Sequence, residues 1–298
     1  FLFFLIFNSL SWFYLATYVI RYTAPELISQ LYWLFFLAAL VSALIGPLVA
    51  KNFGKMRFLF IWVLLGVISS LLYMVLPTFG KFGTITSLIL LGFTFGIGFP
   101  SCLALILSLT KIEERGRTGG IIFFAIYAIL PFLHIIAEYL NDLIVIEHLN
   151  TFSISLMFTV WRALGLGAFL LHVDVGRAVQ LKPTSYRSIL RRKTFLLYLL
   201  PWLAFCLINF FEIEVLTQHL KLELMFSAAF VIGFFSCITG GWLMDLKGRR
   251  WIIILALVML GFGYALLSFF PFILPAQVFY VIVDGIAFGI LTVAFMFV

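Results

Sequence analysis

Apolar residues run along this chain in long unbroken stretches, and polar residues gather in short clusters between them. Ten runs fall at about 2–22, 30–50, 58–77, 84–109, 119–140, 152–172, 194–213, 224–243, 251–271 and 276–298. Each comes near the ~20 residues that a helix needs to cross a bilayer. Backbone in hydrocarbon must satisfy its own hydrogen bonds, so the runs predict helices; barrel strands would be shorter and would alternate. The first run lacks a basic leading segment and a small-residue cleavage site and is rich in aromatics, so it reads as a span and not as a cleaved signal. The chain begins with Phe1, not Met, and ends inside an apolar run, which predicts a fragment trimmed at both ends.

Composition turns this pattern into a statement about solvent. Of 298 residues, 64% are hydrophobic and 10% charged, with 37 Phe and 7 Trp. A water-soluble fold is excluded, because so few charges cannot cover that much apolar surface. Three cysteines without regular spacing form neither a disulfide framework nor a metal set, and no phosphate loop or zinc signature occurs. No cofactor and no metal are expected.

The basic residues give orientation. Alternate connections carry Lys51, Lys55 and Arg57; Lys111, Arg115 and Arg117; Arg177, Lys182, Arg187, Arg191, Arg192 and Lys193; and Lys247, Arg249 and Arg250. The opposite connections hold only Arg21, Lys81 and Lys221, beside Glu26, Asp142, Glu147, Glu214 and Glu223. Lys and Arg mark the cytoplasmic side, so the N-terminus and the four basic connections are expected there, in a multi-pass protein of the plasma membrane. A nucleic-acid partner is not expected, since the basic residues sit as short clusters against spans. Residues 173–193 form the longest polar connection and read as a linker; its basic end either lies on anionic headgroups as an interfacial helix or only anchors topology.

Comparison across that linker reveals an internal repeat. Gly46 and Gly54 are eight residues apart and Gly241 and Gly248 seven, while Gly54 to Pro77 and Gly248 to Pro271 are both 23. Gly92 and Gly96 recur as Gly285 and Gly289, so an offset of 193 to 195 maps spans two to four onto eight to ten. The predicted architecture is all-α and polytopic: two pseudo-symmetric bundles, 1–172 and 194–298, joined by 173–193. If the second bundle matches the first, ten spans of about twelve are present. Such an architecture suits alternating access to a site near the midplane.

Around Gly241-Trp-Leu-Met-Asp245-Leu-Lys-Gly248-Arg249-Arg250 the sequence resembles the cytoplasmic-loop signature of the major facilitator superfamily, Gly-x-x-x-Asp-x-x-Gly-Arg-Arg/Lys. A first copy is expected between spans two and three. There the chain reads Gly46-Pro-Leu-Val-Ala50-Lys51-Asn-Phe-Gly54-Lys55, with Ala50 in place of the Asp. Glu114-Arg115-Gly116-Arg117 is similar to the turn that many members carry before span five. The resemblance implies that Asp245 touches the start of a helix in the other bundle and locks the cytoplasmic side shut. Its expected target is the start of span five, near Thr118, Gly119 and Gly120, with Arg115 or Arg117 as charge partner. The alternative is that Asp245 pairs with Lys247 or Arg249 in its own loop. Independently of the family, Gly241 permits close helix approach, Gly248 a tight reversal, and Arg249 and Arg250 headgroup contact.

Charge inside a span is costly, so each such residue is a functional candidate. Gln277, Tyr280 and Asp284 share one face of span ten at helical spacing. The resemblance implies that spans one, four, seven and ten line the cavity, where Asp284 would meet the solute or carry the coupling proton; the alternatives are a structural ion pair or a span whose bounds are drawn wrongly. Arg162 in span six either neutralises an anionic solute or has a structural partner. Span seven offers Trp202, Asn209 and Glu212, and span one Asn8, Ser11, Tyr14, Thr17 and Tyr18; these faces suit a small organic solute or an interfacial belt. His134 and Glu138 in span five are either a proton relay or a hydrogen-bonded pair, and their spacing is not that of a zinc protease. Span four has no buried Arg, and span five lacks the Gly-Pro…Gly-Gly signature of drug/proton antiporters, so drug antiport is not indicated.

The predicted function is secondary transport of a small organic solute, coupled to protons in one version, by a lipid-embedded monomer that is not an enzyme. The competitors are a transporter-like sensor or assembly protein, toward which Ala50 leans, and an unrelated channel, scramblase or intramembrane enzyme.

Overall fold

The computed structural model describes residues 1–23, 28–50, 53–143, 147–171, 192–214 and 223–297. Each apolar run carries a helix: α1 Leu2–Thr23, α2 Ile28–Ala50, α3 Lys55–Val75, α4 Gly80–Leu109, α5 Arg115–Leu143, α6 Glu147–Leu171, α7 Lys193–Glu214, α8 Glu223–Lys247, α9 Arg249–Phe269 and α10 Leu274–Phe297. Single 3-10 turns at Leu76–Phe79 and Ile112–Glu114 lead into α4 and α5. Six stretches among the described residues are long and apolar enough to cross a membrane, one of them, Met56–Leu109, folding back at Gly80 (φ 76) as the α3–α4 hairpin. Leu2–Thr17, Ser155–Leu171 and Phe195–Asn209 are shorter apolar helical stretches. The chain is an all-α, polytopic membrane protein.

Proline lies inside α2, α4, α5 and α7, at Pro47, Pro100, Pro131 and Pro201. An isolated soluble helix would break there; buried helices tolerate the loss because neighbours and hydroxyls meet the freed backbone groups. Serine and threonine return hydroxyls to carbonyls one turn back, as at Ser70 to Gly66 (2.8 Å) and Ser236 to Ile232 (2.8 Å).

The contacts divide the chain into two compact units, Phe1–Leu109 with Ala125–Val179, and Thr110–Phe124 with Gln180–Val298. The first turns of α5 therefore group with the helices after the linker. The linker itself lies outside the described residues apart from Arg192 and Lys193.

Within the first unit, α4 lies on α2 with Gly92 against the Phe35 carbonyl, Gly96 against that of Ala39, and Gly46 against that of Ile97. Within the second, α10 lies on α8 with Gly285 against the Ala229 carbonyl, Gly289 against that of Gly233, and Gly240 against Ile290. A Cβ at any of these glycines would collide with its neighbour, so the helices meet at backbone distance. The partners as well as the glycines recur at an offset of 193 or 194.

Candidate functional site

The turn between α8 and α9 is made by Gly248, whose φ of 90 ends one helix and starts the next. A side chain there would be strained. One turn earlier, Asp245 is turned inward, its side chain 3% exposed. Its carboxylate accepts hydrogen bonds from the backbone N–H of Gly116 (2.9 Å) and of Arg117 (2.8 Å), and the Arg117 Nε lies 3.4 Å away. These are among the first N–H groups of α5, which have no acceptor within the helix, and the positive helix end adds to the attraction. The contact falls one or two residues before the expected Thr118–Gly120 target, because α5 already begins at Arg115. Arg249 donates to the Ile112 carbonyl, in the turn before α5.

This contact requires backbone proximity. A Cβ on Gly241 would strike the Gly116 carbonyl, one on Gly116 the Gly241 carbonyl, and one on Gly120 the carbonyl of Cys237. The pairs 116/120 and 237/241 are thus small-residue faces one turn apart, a signal present in the sequence that the Asp motif overshadowed. Arg115 is half-buried at the start of α5, and Arg250 is exposed. In the degenerate first copy, Ala50 ends α2, Gly54 is exposed with open space around it, and Lys55 begins α3.

A second set of candidates lies between α7 and α10. Phe288 and Phe295 approach Phe205 at 6.2 and 6.0 Å, and Phe295 also meets Trp202 at 6.4 Å and Tyr198 at 5.6 Å. The Tyr198 hydroxyl donates to the Phe295 carbonyl. Asp284 precedes Phe288 by one turn on the same face of α10; it is 7% exposed and has no hydrogen bond or ion pair to any described residue. Trp202 and Asn209 are half-buried on α7. The other expected members of the α10 face diverge. Gln277 donates to the Pro271 carbonyl (2.7 Å), and Tyr280 packs into a core of Ala229, Leu267 and Val281, with its hydroxyl buried and without a hydrogen-bond partner among the described residues.

Arg162 sits in the interior of the first unit, 0% exposed. Its Nη1 donates to Ser9 Oγ (2.6 Å) and Asn8 Oδ1 (3.3 Å), and its guanidinium lies 5.0 Å from the Trp12 ring and 4.8 Å from that of Trp62. Gly66 leaves room for it on α3. Asn8 donates to the Trp161 carbonyl (2.6 Å) and Ser11 accepts from Trp161 Nε1 (2.9 Å), so the polar face expected of α1 is engaged with α6. The Arg162 Nε and Nη2 are buried without a hydrogen-bond partner among the described residues. The side chains of Tyr18, Lys55, Glu212, His134 and Glu138 lie outside the described residues. No group of three or more metal-binding side chains occurs among the described residues.

The fold is shared with a solved structure, the proton:xylose symporter XylE bound to 6-bromo-6-deoxy-D-glucose, at a TM-score of 0.65 and 15% identity over 99% of this chain and 79% of that one. No curated protein matches the chain. The sequence profile of the Major Facilitator Superfamily matches residues 1–298, the whole of the sequence. The chain belongs to the major facilitator superfamily, whose members are transporters and not enzymes.

Proposed function

We propose that this chain moves a small organic solute by alternating access, with ten membrane-crossing helices arranged as two pseudo-equivalent bundles and with Asp245 as a releasable latch. The recurrence of close glycine contacts at an offset of 193 or 194 supports the bundle reading. The observation that carries the function is the Asp245 carboxylate on the first N–H groups of α5. Charge-assisted hydrogen bonds of this kind contribute about 1.5–3 kcal/mol each. That is comparable with the few kcal/mol separating states that interconvert in a working protein, so the latch biases one state without freezing it. Ala50 cannot accept a hydrogen bond, so an equivalent latch at the first copy is absent from this reading.

The solute site is placed on the α7–α10 face, where Asp284 meets the solute or carries a coupling proton. The basic connections, the linker and the N-terminus are cytoplasmic in this reading, and the protein works as a lipid-embedded monomer of the plasma membrane. The test is uptake by the purified full-length protein in proteoliposomes across a metabolite panel, with and without an imposed pH gradient. Flux of a defined solute is expected, faster under the gradient if protons are coupled. Absence of substrate-dependent flux under every gradient would overturn the transport reading.

A further inference from the structure

We infer that the α7–α10 face recognises a cationic organic solute, an amine or quaternary ammonium with an apolar body, through Asp284 and the aromatic rings beside it. The inference rests on the transport reading and narrows its substrate class.

The first support is the burial of Asp284 without a described hydrogen-bond or ion-pair partner. The residue is 7% exposed and has no hydrogen bond or ion pair to any described residue. A buried carboxylate with no described partner is unfavourable as an anion unless it takes up a proton or faces a cation. The nearby sequence does not provide the cation. Between Lys193 and Lys247 the basic residues are His219 and Lys221, both in the connection after α7, and none follows Arg250. Asp284 lies ten residues into α10, about 15 Å along its axis, so the basic turn at the start of α9 is far from its level.

The second support is the ring cluster. Phe288 and Phe295 follow Asp284 on the same face of α10 and meet Phe205, Trp202 and Tyr198 of α7. Ring faces carry negative charge density and attract a desolvated cation, most strongly at tryptophan. The pairs Tyr198–Phe295 and Phe205–Phe288 show α7 and α10 running in opposite directions. One further turn of that register brings Asn209 level with Asp284, adding a neutral amide oxygen as an acceptor for an ammonium N–H.

The alternatives fit less well. An anion would be repelled by Asp284, and a sugar needs many polar partners. The Tyr198 hydroxyl is already bonded to the Phe295 carbonyl, which leaves Asp284 and Asn209 as the polar groups beside the rings among the described residues.

The test compares radiolabelled tetraethylammonium and choline with xylose, lactate and 3,3-dimethylbutan-1-ol, the uncharged carbon isostere of choline, in proteoliposomes of the full-length protein. Uptake and counterflow are expected for an organic cation and not for its isostere. Asp284→Asn should lower that flux at least tenfold, Asp284→Glu should restore part of it, and Trp202→Leu should raise KM more than it lowers the maximal rate. Thermal unfolding guards against misfolding: the cation should raise the Tm of the wild-type protein, and Asp284→Asn should retain a cooperative transition without that rise. Flux of xylose or lactate with both cations inert, or cation flux unchanged in a folded Asp284→Asn variant, would overturn the inference and leave transport standing. No flux for any solute would overturn the transport reading and this inference with it.

Discussion

Asp245 is held by two backbone donors and one guanidinium, so its variants separate charge from shape. Asp245→Ala removes every acceptor and should weaken the contact by about 3–6 kcal/mol. Asp245→Asn keeps one oxygen and should fall between. Amide hydrogen exchange at Gly116 and Arg117 is the readout, with protection decreasing from wild type to Asn to Ala; unchanged protection in the alanine variant would remove the latch. Arg162 makes a different demand. Its guanidinium bonds to Ser9 and Asn8 between two tryptophans, so Arg162→Ala leaves a cavity and unpaired polar atoms and should cost on the order of 3 kcal/mol, read by thermal unfolding. Asp245 and the start of span five as its target were legible from the motif, but the particular donors, Gly116 and Arg117, were not. Apolarity suggests a start near residue 119, whereas the helix takes in the polar residues from Arg115 onward. Depth in a span likewise marked Arg162 as unusual without revealing that its partners come from α1 and α3.

Among helices, the decisive feature is where a glycine has a backbone opposite it. Gly96 and Gly289 press on carbonyls of α2 and α8, whereas Gly261 in α9 has open space around it. Gly96→Val and Gly289→Val should each destabilise by about 1–3 kcal/mol or more through overpacking. Gly261→Ala should be neutral or stabilising by about 0.5–1 kcal/mol, because it removes only backbone entropy from the unfolded chain. Melting temperatures of the three variants check this, and equal losses at all three positions would contradict it. All three glycines are equally visible in the sequence. Spacing at one helical turn flagged the 92/96 and 285/289 pairs, but only packing distinguishes a contact glycine from a lipid-facing one.

For the molecule as a whole, the one-sided distribution of Lys and Arg predicts that Lys247→Cys is labelled by an impermeant thiol reagent only from the cytoplasmic side and Lys81→Cys only from the opposite side. Labelling of both from one side would invert or break the topology. The sequence by itself determined the membrane as solvent, the helical class and the approximate position of the ten described helices, because hydrocarbon leaves a chain of 64% apolar residues few alternatives and apolar runs are local properties. It also placed the Asp245 motif at a turn. What the tertiary structure decided was which polar atoms meet. Asp245 reaches Gly116 and Arg117 across a separation of 129 and 128 residues, Asn8 and Ser11 are taken up by α6, and Asp284 is left without a described partner beside a row of rings. Such pairings depend on the rotation and depth of each helix against its neighbours. Those are set by packing of small residues on backbone, which no single stretch of sequence contains.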